Sequence, residues 1–113
     1  MSEKFGQSSL IDVKKLVDSI TEKWINKNLT EVNDCIIRLG VVEGEFHWHK
    51  HDKEDEFFFV LDGKLLLDLE NETIELQPWQ GYTVPRKIVH RTRAPEKTVM
   101  IMIEKSTVNP KGD

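Results

Sequence analysis

The sequence predicts an all-β sandwich or barrel preceded by one short N-terminal helix. Apolar residues recur at helical spacing near the start of the chain, and this pattern ends before Asn33-Asp34. Beyond this point the apolar runs are short, rich in β-branched and aromatic residues, and separated by turn residues. Helical spacing does not return between these runs, which favours an all-β fold over alternating strands and helices.

The predicted helix covers residues 10–24, where apolar side chains are spaced by three or four positions. Ser9 and Asp12 resemble a capping pair at its start. Six strands are predicted after the helix, at residues 35–42, 57–61, 64–69, 73–76, 82–84 and 98–103. Between the second and third of these strands, Asp62-Gly63 predicts a tight hairpin.

The chain of 113 residues has the length of one domain. We expect residues 1–33 to form an arm and helix that pack on a barrel, residues 34–105 to form the barrel, and residues 106–113 to form a tail. Two apolar runs, at 57–61 and 99–103, are apolar on both faces, although a small barrel has a single interior. The helix could cover part of the second faces and a second copy of the chain the rest, which predicts a homodimer.

The composition narrows the class of protein. The chain has 16 basic and 20 acidic residues, a formal net charge of -4, and 38% hydrophobic residues. These values are typical of a soluble globular protein, and the mild acidity argues against a nucleic-acid partner. No apolar run approaches the roughly 18–20 residues of a membrane helix, so we expect no membrane partner. The single cysteine, Cys35, excludes an internal disulfide and favours the cytoplasm.

Three of the four histidines lie within residues 47–51. In an extended chain, His49 and His51 point to the same side because residues two apart share a face. Glu56 begins the next predicted strand, and an inward Glu56 would place a carboxylate beside an apolar interior. A buried carboxylate needs a partner. Two imidazoles and one carboxylate suit a divalent transition metal, so the segment predicts a metal site.

The order of these residues resembles two conserved motifs of the cupin superfamily. His49-x-His51, four residues, Glu56, six residues and Gly63 resemble the first motif, and Gly81…Pro85-x-Lys87-x-x-His90 resembles the second. In the second motif Lys87 stands where glycine is common. The chain is most similar to small single-domain cupins of the type-2, mannose-6-phosphate-isomerase-like group.

The resemblance implies a jelly-roll β-barrel, also called a double-stranded β-helix. It also implies four metal ligands, which are His49, His51, Glu56 and His90. Mixed imidazole and carboxylate ligation leaves the metal open among nickel, zinc, iron and manganese. The commonest chemistry of the family would make the chain a metal-dependent oxygenase or isomerase.

Two other functions remain open from the sequence: a non-catalytic, metal-dependent module that binds a small molecule, and a barrel whose metal only stabilises the fold. We expect a small organic ligand, anionic or sugar-like, in a cavity lined by Phe58 and Val60. Arg86 could meet an anionic group at the entrance. His47 and Tyr82 are the rim residues that could act in acid–base catalysis, although His47 could also support or replace a ligand.

Overall fold

The structure, a computed structural model, describes residues 4–113. It contains one helix and seven strands in the described part of the chain, and the strands pair antiparallel. The helix α1 spans Val13–Asp18, and the strands are β1 Trp24–Val32, β2 Cys35–Glu45, β3 Glu56–Asp62, β4 Leu65–Leu69, β5 Thr73–Leu76, β6 Gly81–Val84 and β7 His90–Lys105. The all-β class with a short N-terminal helix, predicted from the sequence, is confirmed.

Strand β7 holds the sheet together because it pairs with three others. Its second half pairs with β2 on one side and with β3 on the other, and its first half pairs with β4. The sheet order is β1-β2-β7-β3-β6, with β4 paired to β7 and to β5. The first residue of β7, His90, therefore lies opposite Leu69 at the end of β4, while Glu104 near its other end lies opposite Glu56.

Apolar side chains form two cores, one on each face of the long strands. The inner core fills the barrel with inward side chains, including Phe58, Val60, Leu65, Leu67 and Met100. The outer core lies on the opposite face, where Leu39, Val41 and Val99 pack against half-buried apolar residues of α1 and its flanks. The alternation of inward and outward side chains along a strand explains why runs that are apolar on both faces serve two cores.

The helix is shorter than the sequence predicts. It begins after Asp12, whose side chain accepts a hydrogen bond from the Lys15 backbone N–H, and it ends at Ser19, whose hydroxyl donates to the Leu16 carbonyl. Trp24 continues the apolar spacing but starts β1, where it pairs with Val42 of β2. The sequence missed β1 because its asparagines disfavour strands, and pairing with β2 overrides that preference.

A cluster of ionic side chains joins β4 to β7 on the outside of the barrel. The Asp68 carboxylate is buried and accepts hydrogen bonds from Arg91, Arg93 and Thr73. The hydrogen bonds from Arg93, Thr73 and Arg91 outweigh the effect of burial and lower the pKa of Asp68 far below its usual range. The ionised form of Asp68 therefore stabilises the folded chain.

We predict that Asp68→Asn lowers the free energy of unfolding at pH 7 by about 2 kcal/mol, because the two arginines lose a shared charged acceptor. A lowered carboxyl pKa stabilises the fold above the unfolded-state pKa, and this gain is lost as the pH falls. The difference from the wild type should therefore shrink below about pH 4. Urea unfolding at pH 7 and pH 3 measures it. Glu72→Gln, which removes an exposed carboxylate, is the control, and a difference independent of pH would contradict the prediction.

Candidate metal centre

The four residues with the predicted ligand spacing come from three neighbouring segments. His49 and His90 form an isolated β-bridge, with the backbone N–H of each donating to the carbonyl of the other at 2.9 Å. His51 lies two residues further along the same segment as His49, and Glu56 begins β3. The pairing of β7 with β3 and with the His49 segment therefore brings residues far apart in sequence to one place.

The side chains of these residues converge. One ligand atom from each of His49, His51, Glu56 and His90 lies within 4.8 Å of the others. Glu56 Oε1 lies 3.4 Å from Nε2 of His51 and 3.4 Å from Nε2 of His90. His51, Glu56 and His90 are buried, and His49 is half-buried. Three imidazoles and one carboxylate at these separations form a cluster that could hold a divalent metal ion.

Backbone carbonyls fix the orientation of two imidazole rings. His49 Nδ1 lies 2.9 Å from the His47 carbonyl, and His90 Nδ1 lies 2.9 Å from the Ile88 carbonyl. Because a carbonyl only accepts, each Nδ1 carries the proton in these hydrogen bonds, which leaves Nε2 of a neutral ring with a free lone pair. This tautomer is the one that binds metal through Nε2.

The unpartnered atoms at the centre fit a cation. Among the described residues, His51 Nε2, His90 Nε2 and Glu56 Oε1 are buried and lack a hydrogen-bond partner. Buried polar atoms are normally paired, since an unpaired one costs free energy. A divalent ion would satisfy all three at once, so the donor set fits the metal that the sequence predicts.

The charges of the cluster also suit a metal. Burial alone would raise the pKa of Glu56, but the His51 and His90 rings, whose Nε2 atoms lie 3.4 Å from its carboxylate, outweigh burial and lower that pKa below its usual range. Burial lowers the pKa of His49 and is not fully offset by its hydrogen bond to His47. Near neutral pH the carboxylate is therefore ionised and His49 is neutral, which are the forms that ligate metals.

His51 carries a different balance of effects. Burial opposes charging of its ring, but the Glu56 carboxylate at 3.4 Å and the negative charges of Asp113 and Glu54 outweigh burial and raise the pKa of His51 above its ordinary value. A bound cation would compete with the proton on this ring. Metal binding at the cluster should therefore weaken as the pH falls.

Behind the cluster, Arg38 and Glu104 form a buried hydrogen-bonded pair beside Glu56. Arg38 of β2 donates to Glu104 Oε1 at 2.6 Å, and Glu104 lies opposite Glu56 in the sheet register. Burial, followed by the nearby Glu56 carboxylate, raises the pKa of Glu104 to about 9. Sequence reasoning missed this pair. The sequence did carry a signal that Glu104 is buried, because strand alternation places it on the same face as the apolar Met100 and Met102.

An apolar cavity of about 180 Å³ opens beside the cluster. His49 and Glu56 lie in its wall together with Phe58, Met100, Met102 and Trp24. Among the other residues with predicted roles, Val60 is fully buried in the inner core, and Tyr82 is half-buried against that core. Arg86 is exposed, and its backbone N–H donates to Asp55. Within the described chain, these three residues are outside the cavity wall.

Lys87 stands where glycine is common in the second motif, and its backbone conformation suits that position. Its φ is 72°, in the left-handed region that favours glycine, and its backbone N–H donates to the His51 carbonyl at 2.7 Å. Lysine thus adopts a backbone conformation that favours glycine, at a modest cost in strain. The hydrogen bond from Lys87 ties the turn before His90 to the segment that carries His51.

The last seven residues, 107–113, which we call the strap, lie against the His/Glu cluster. His47 Nε2 donates to the Lys111 carbonyl at 2.6 Å, and the Asp113 backbone N–H donates to the Lys50 carbonyl at 2.9 Å. Pro110 and Lys111 lie in the cavity wall. The sequence predicted a tail here, because this short polar segment shows no periodicity. Its contacts were missed because their partners are distant in sequence.

Comparison with known proteins places this geometry in a family. Residues 36–104 match the family model described as "Cupin domain", which covers more than half of the chain. The chain is a cupin. Its jelly-roll fold, its membership of the small single-domain cupins and its His/Glu cluster agree with the resemblance found in the sequence.

Relatives of this cupin share most of its length. It is 38% identical over 98 residues to the uncharacterized protein YdbB of Bacillus subtilis, covering 86% of this chain and 87% of that protein. A cupin-2 domain containing protein of Shewanella frigidimarina superposes with a TM-score of 0.81 at 31% identity, covering 85% of this chain and 94% of the other. Protein NMB1881 of Neisseria meningitidis superposes with a TM-score of 0.77 at 22% identity, covering 87% and 100%, which shows the shared fold.

The described part of the chain contains no helix long and apolar enough to cross a membrane.

Proposed function

We propose that this cupin is a metalloenzyme that binds a divalent transition metal through His49, His51, Glu56 and His90 and acts on a small organic substrate. The observation that carries the proposal is the convergence of three imidazoles and one carboxylate, with unpartnered buried atoms, in the wall of an apolar cavity. Nickel, zinc, iron and manganese all accept this donor set.

The cavity limits the substrate. Pockets for drug-sized ligands measure roughly 300–1,000 Å³, so a cavity of about 180 Å³ suits a smaller molecule. Phe58, Met100 and Met102 would exclude water from the bound molecule, while Asn26 and Thr92 offer polar contacts to a hydroxyl or anionic group. Substrate contacts from Arg86 and Val60 stay predictions. Acid–base roles for His47 and Tyr82 also stay predictions.

Oxygenase or isomerase chemistry is the proposed activity. The bound metal would supply Lewis-acid or redox chemistry to a ligand held in the cavity. The chain would orient Nε2 of His49 and His90 through their carbonyl partners and keep Glu56 ionised.

A non-catalytic binding module is the second candidate function. The residues of the cavity wall favour this candidate. Within the described chain, the titratable residues in that wall are His49, Glu56 and Lys111, and the first two belong to the proposed metal site. Few groups are therefore left there for general acid–base catalysis.

Elemental analysis of the purified protein beside the His49→Ala, His51→Ala double variant tests the metal site. We expect near-stoichiometric metal in the wild type and little in the double variant, because two of four ligands are lost. Equal metal content in both proteins would reject the site.

The metal-loaded protein then separates the two functions. Turnover of small diols, thiols or sugars, with or without oxygen uptake, favours the enzyme. Tight retention of a ligand without turnover favours the binding module.

We also propose that this cupin is a cytoplasmic homodimer. On the outer face of the sheet, Ile103 lies between Ile37 and Phe57. Ile103 and Trp79 are 37% and 76% exposed. A second copy would bury these side chains. Light scattering at micromolar concentration should give the mass of two chains, and the mass of one chain would refute the dimer.

A further inference from the structure

The strap forms a second cluster with a predicted metal ligand. A ring nitrogen of His51 and a carboxylate oxygen from each of Glu54 and Asp113 lie within 4.8 Å of one another. Glu54 precedes Glu56 by two residues, and Asp113 belongs to the strap. His51 is 2% exposed, and its Nδ1 is buried without a hydrogen-bond partner. The two carboxylates are therefore close to a buried group that needs an acceptor.

The two nitrogens of His51 have different neighbours. Nε2 lies 3.4 Å from Glu56 Oε1, on the side of the metal cluster. Because the two nitrogens point to different sides of the ring, Nδ1 is the one available to Glu54 and Asp113 through a bridging water. Imidazoles that bind a metal through one nitrogen commonly donate the other N–H to a carboxylate, which fixes the ring and strengthens it as a ligand.

The contacts of the strap hold these carboxylates in place. Glu54 Oε2 accepts a hydrogen bond from the Thr107 hydroxyl at 2.8 Å, and Asp113 Oδ2 accepts one from the Asp52 backbone N–H at 2.6 Å. Gly112 packs on His49 so closely that an added Cβ would lie 2.5 Å from His49 Cβ. The strap therefore packs on His49 and brings the Asp113 carboxylate within 4.8 Å of a ring nitrogen of His51.

We propose that Glu54 and the strap residue Asp113 are positioning residues for His51, and that closure of the strap over the cluster strengthens metal binding. The closed strap slows dissociation of the metal, because a bound ion leaves quickly only when residues 107–113 move away from His49 and His51. We call this the locking role. This inference rests on the metal site proposed above.

Zn²⁺ affinity measured by competition with a chelating dye tests the positioning role. Glu54→Gln and Asp113→Asn keep an oxygen for the Thr107 and Asp52 hydrogen bonds but remove the charge. We expect each to weaken Zn²⁺ binding by about 10-fold, since loss of a ligand's hydrogen-bond partner costs roughly 10–100-fold. Asp55→Asn, which removes the carboxylate between Glu54 and Glu56, is the matched control and should bind as the wild type does.

Several outcomes would overturn the proposal. Unchanged affinity in both variants, or an equal loss in Asp55→Asn, would remove the positioning role. A fall in the Tm of the metal-free variants in step with affinity would show a merely structural role, because we expect that Tm to stay constant. Two equivalents of Zn²⁺ in the wild type would show a second ion on Glu54 and Asp113. A wild type that binds no metal would reject the proposed function itself.

The locking role has its own measurement. Gly112→Ala places a methyl group against His49 at a residue whose φ is 96°, so it should hold the strap open. We expect Zn²⁺ to pass to an excess of chelator at least several-fold faster than from the wild type. An unchanged release rate would overturn the locking role, whatever the affinities of the carboxylate variants.

Discussion

Glu56→Gln is expected to lower the affinity for a divalent metal by more than about 100-fold. This loss exceeds the roughly 10–100-fold loss that follows when a metal ligand loses its hydrogen-bond partner. Glu56 is the one carboxylate of the proposed ligand set, and its oxygen lies 3.4 Å from two imidazole nitrogens. Glutamine fills the same volume but has no charge, so it cannot offset the charge of the ion. A 100-fold change corresponds to about 2.7 kcal/mol of binding free energy.

The metal-free form of this variant should keep its fold. The substitution preserves side-chain volume in a packed interior, and such changes are tolerated best. We expect metal to raise the Tm of the wild type and of Asp55→Asn, the exposed neighbour, but not that of Glu56→Gln. Isothermal titration and thermal unfolding with and without metal measure both effects. Wild-type affinity in Glu56→Gln would exclude Glu56 from the ligand set.

Gly63→Ala is expected to lower the free energy of unfolding by about 3 kcal/mol, the sum of backbone strain and a steric clash. Gly63 has a φ of 86°, and an added Cβ would lie 2.5 Å from the Lys97 carbonyl and 2.6 Å from Thr98 Oγ1. The Thr98 hydroxyl donates to the Lys64 carbonyl and accepts from the Lys64 N–H. A methyl group would therefore break the contacts that join the β3–β4 hairpin to β7.

A matched substitution at Gly44 separates the free-energy cost of backbone strain from that of the steric clash. Gly44 has a φ of 120°, but an added Cβ would meet nothing within 4 Å. Gly44→Ala should therefore cost only the backbone strain, about 1 kcal/mol. Denaturant unfolding of both variants measures the difference. Equal losses would show that the packing of Gly63 against Lys97 and Thr98 contributes little.

The His/Glu cluster could be predicted because its signals are local. The spacing of His49, His51 and Glu56 is short, and strand alternation fixes their common side. His90 needed the resemblance to the family motif, because only the pairing of β7 with its neighbours brings it to the other three. The strands after residue 33 were predictable for the same local reason, as each carries its own apolar run.

The features that sequence reasoning missed depend on distant contacts. Strand β1 has weak preference of its own and forms because β2 offers it hydrogen-bond partners. The strap shows only polar and turn residues, yet Lys111 meets His47 and Asp113 meets Asp52, which lie more than half the chain away. Arg38 and Glu104 likewise meet only after β2 and β7 pair.

The pairing of β7 with three earlier strands also sets the order of assembly. Long loops must close before these contacts form, and folds dominated by distant pairings fold slowly. On the ribosome, His49, His51 and Glu56 leave the exit tunnel well before His90, which starts β7. The fourth side chain of the cluster therefore arrives only when β7 is synthesised and docked, so the complete four-residue cluster forms late in folding.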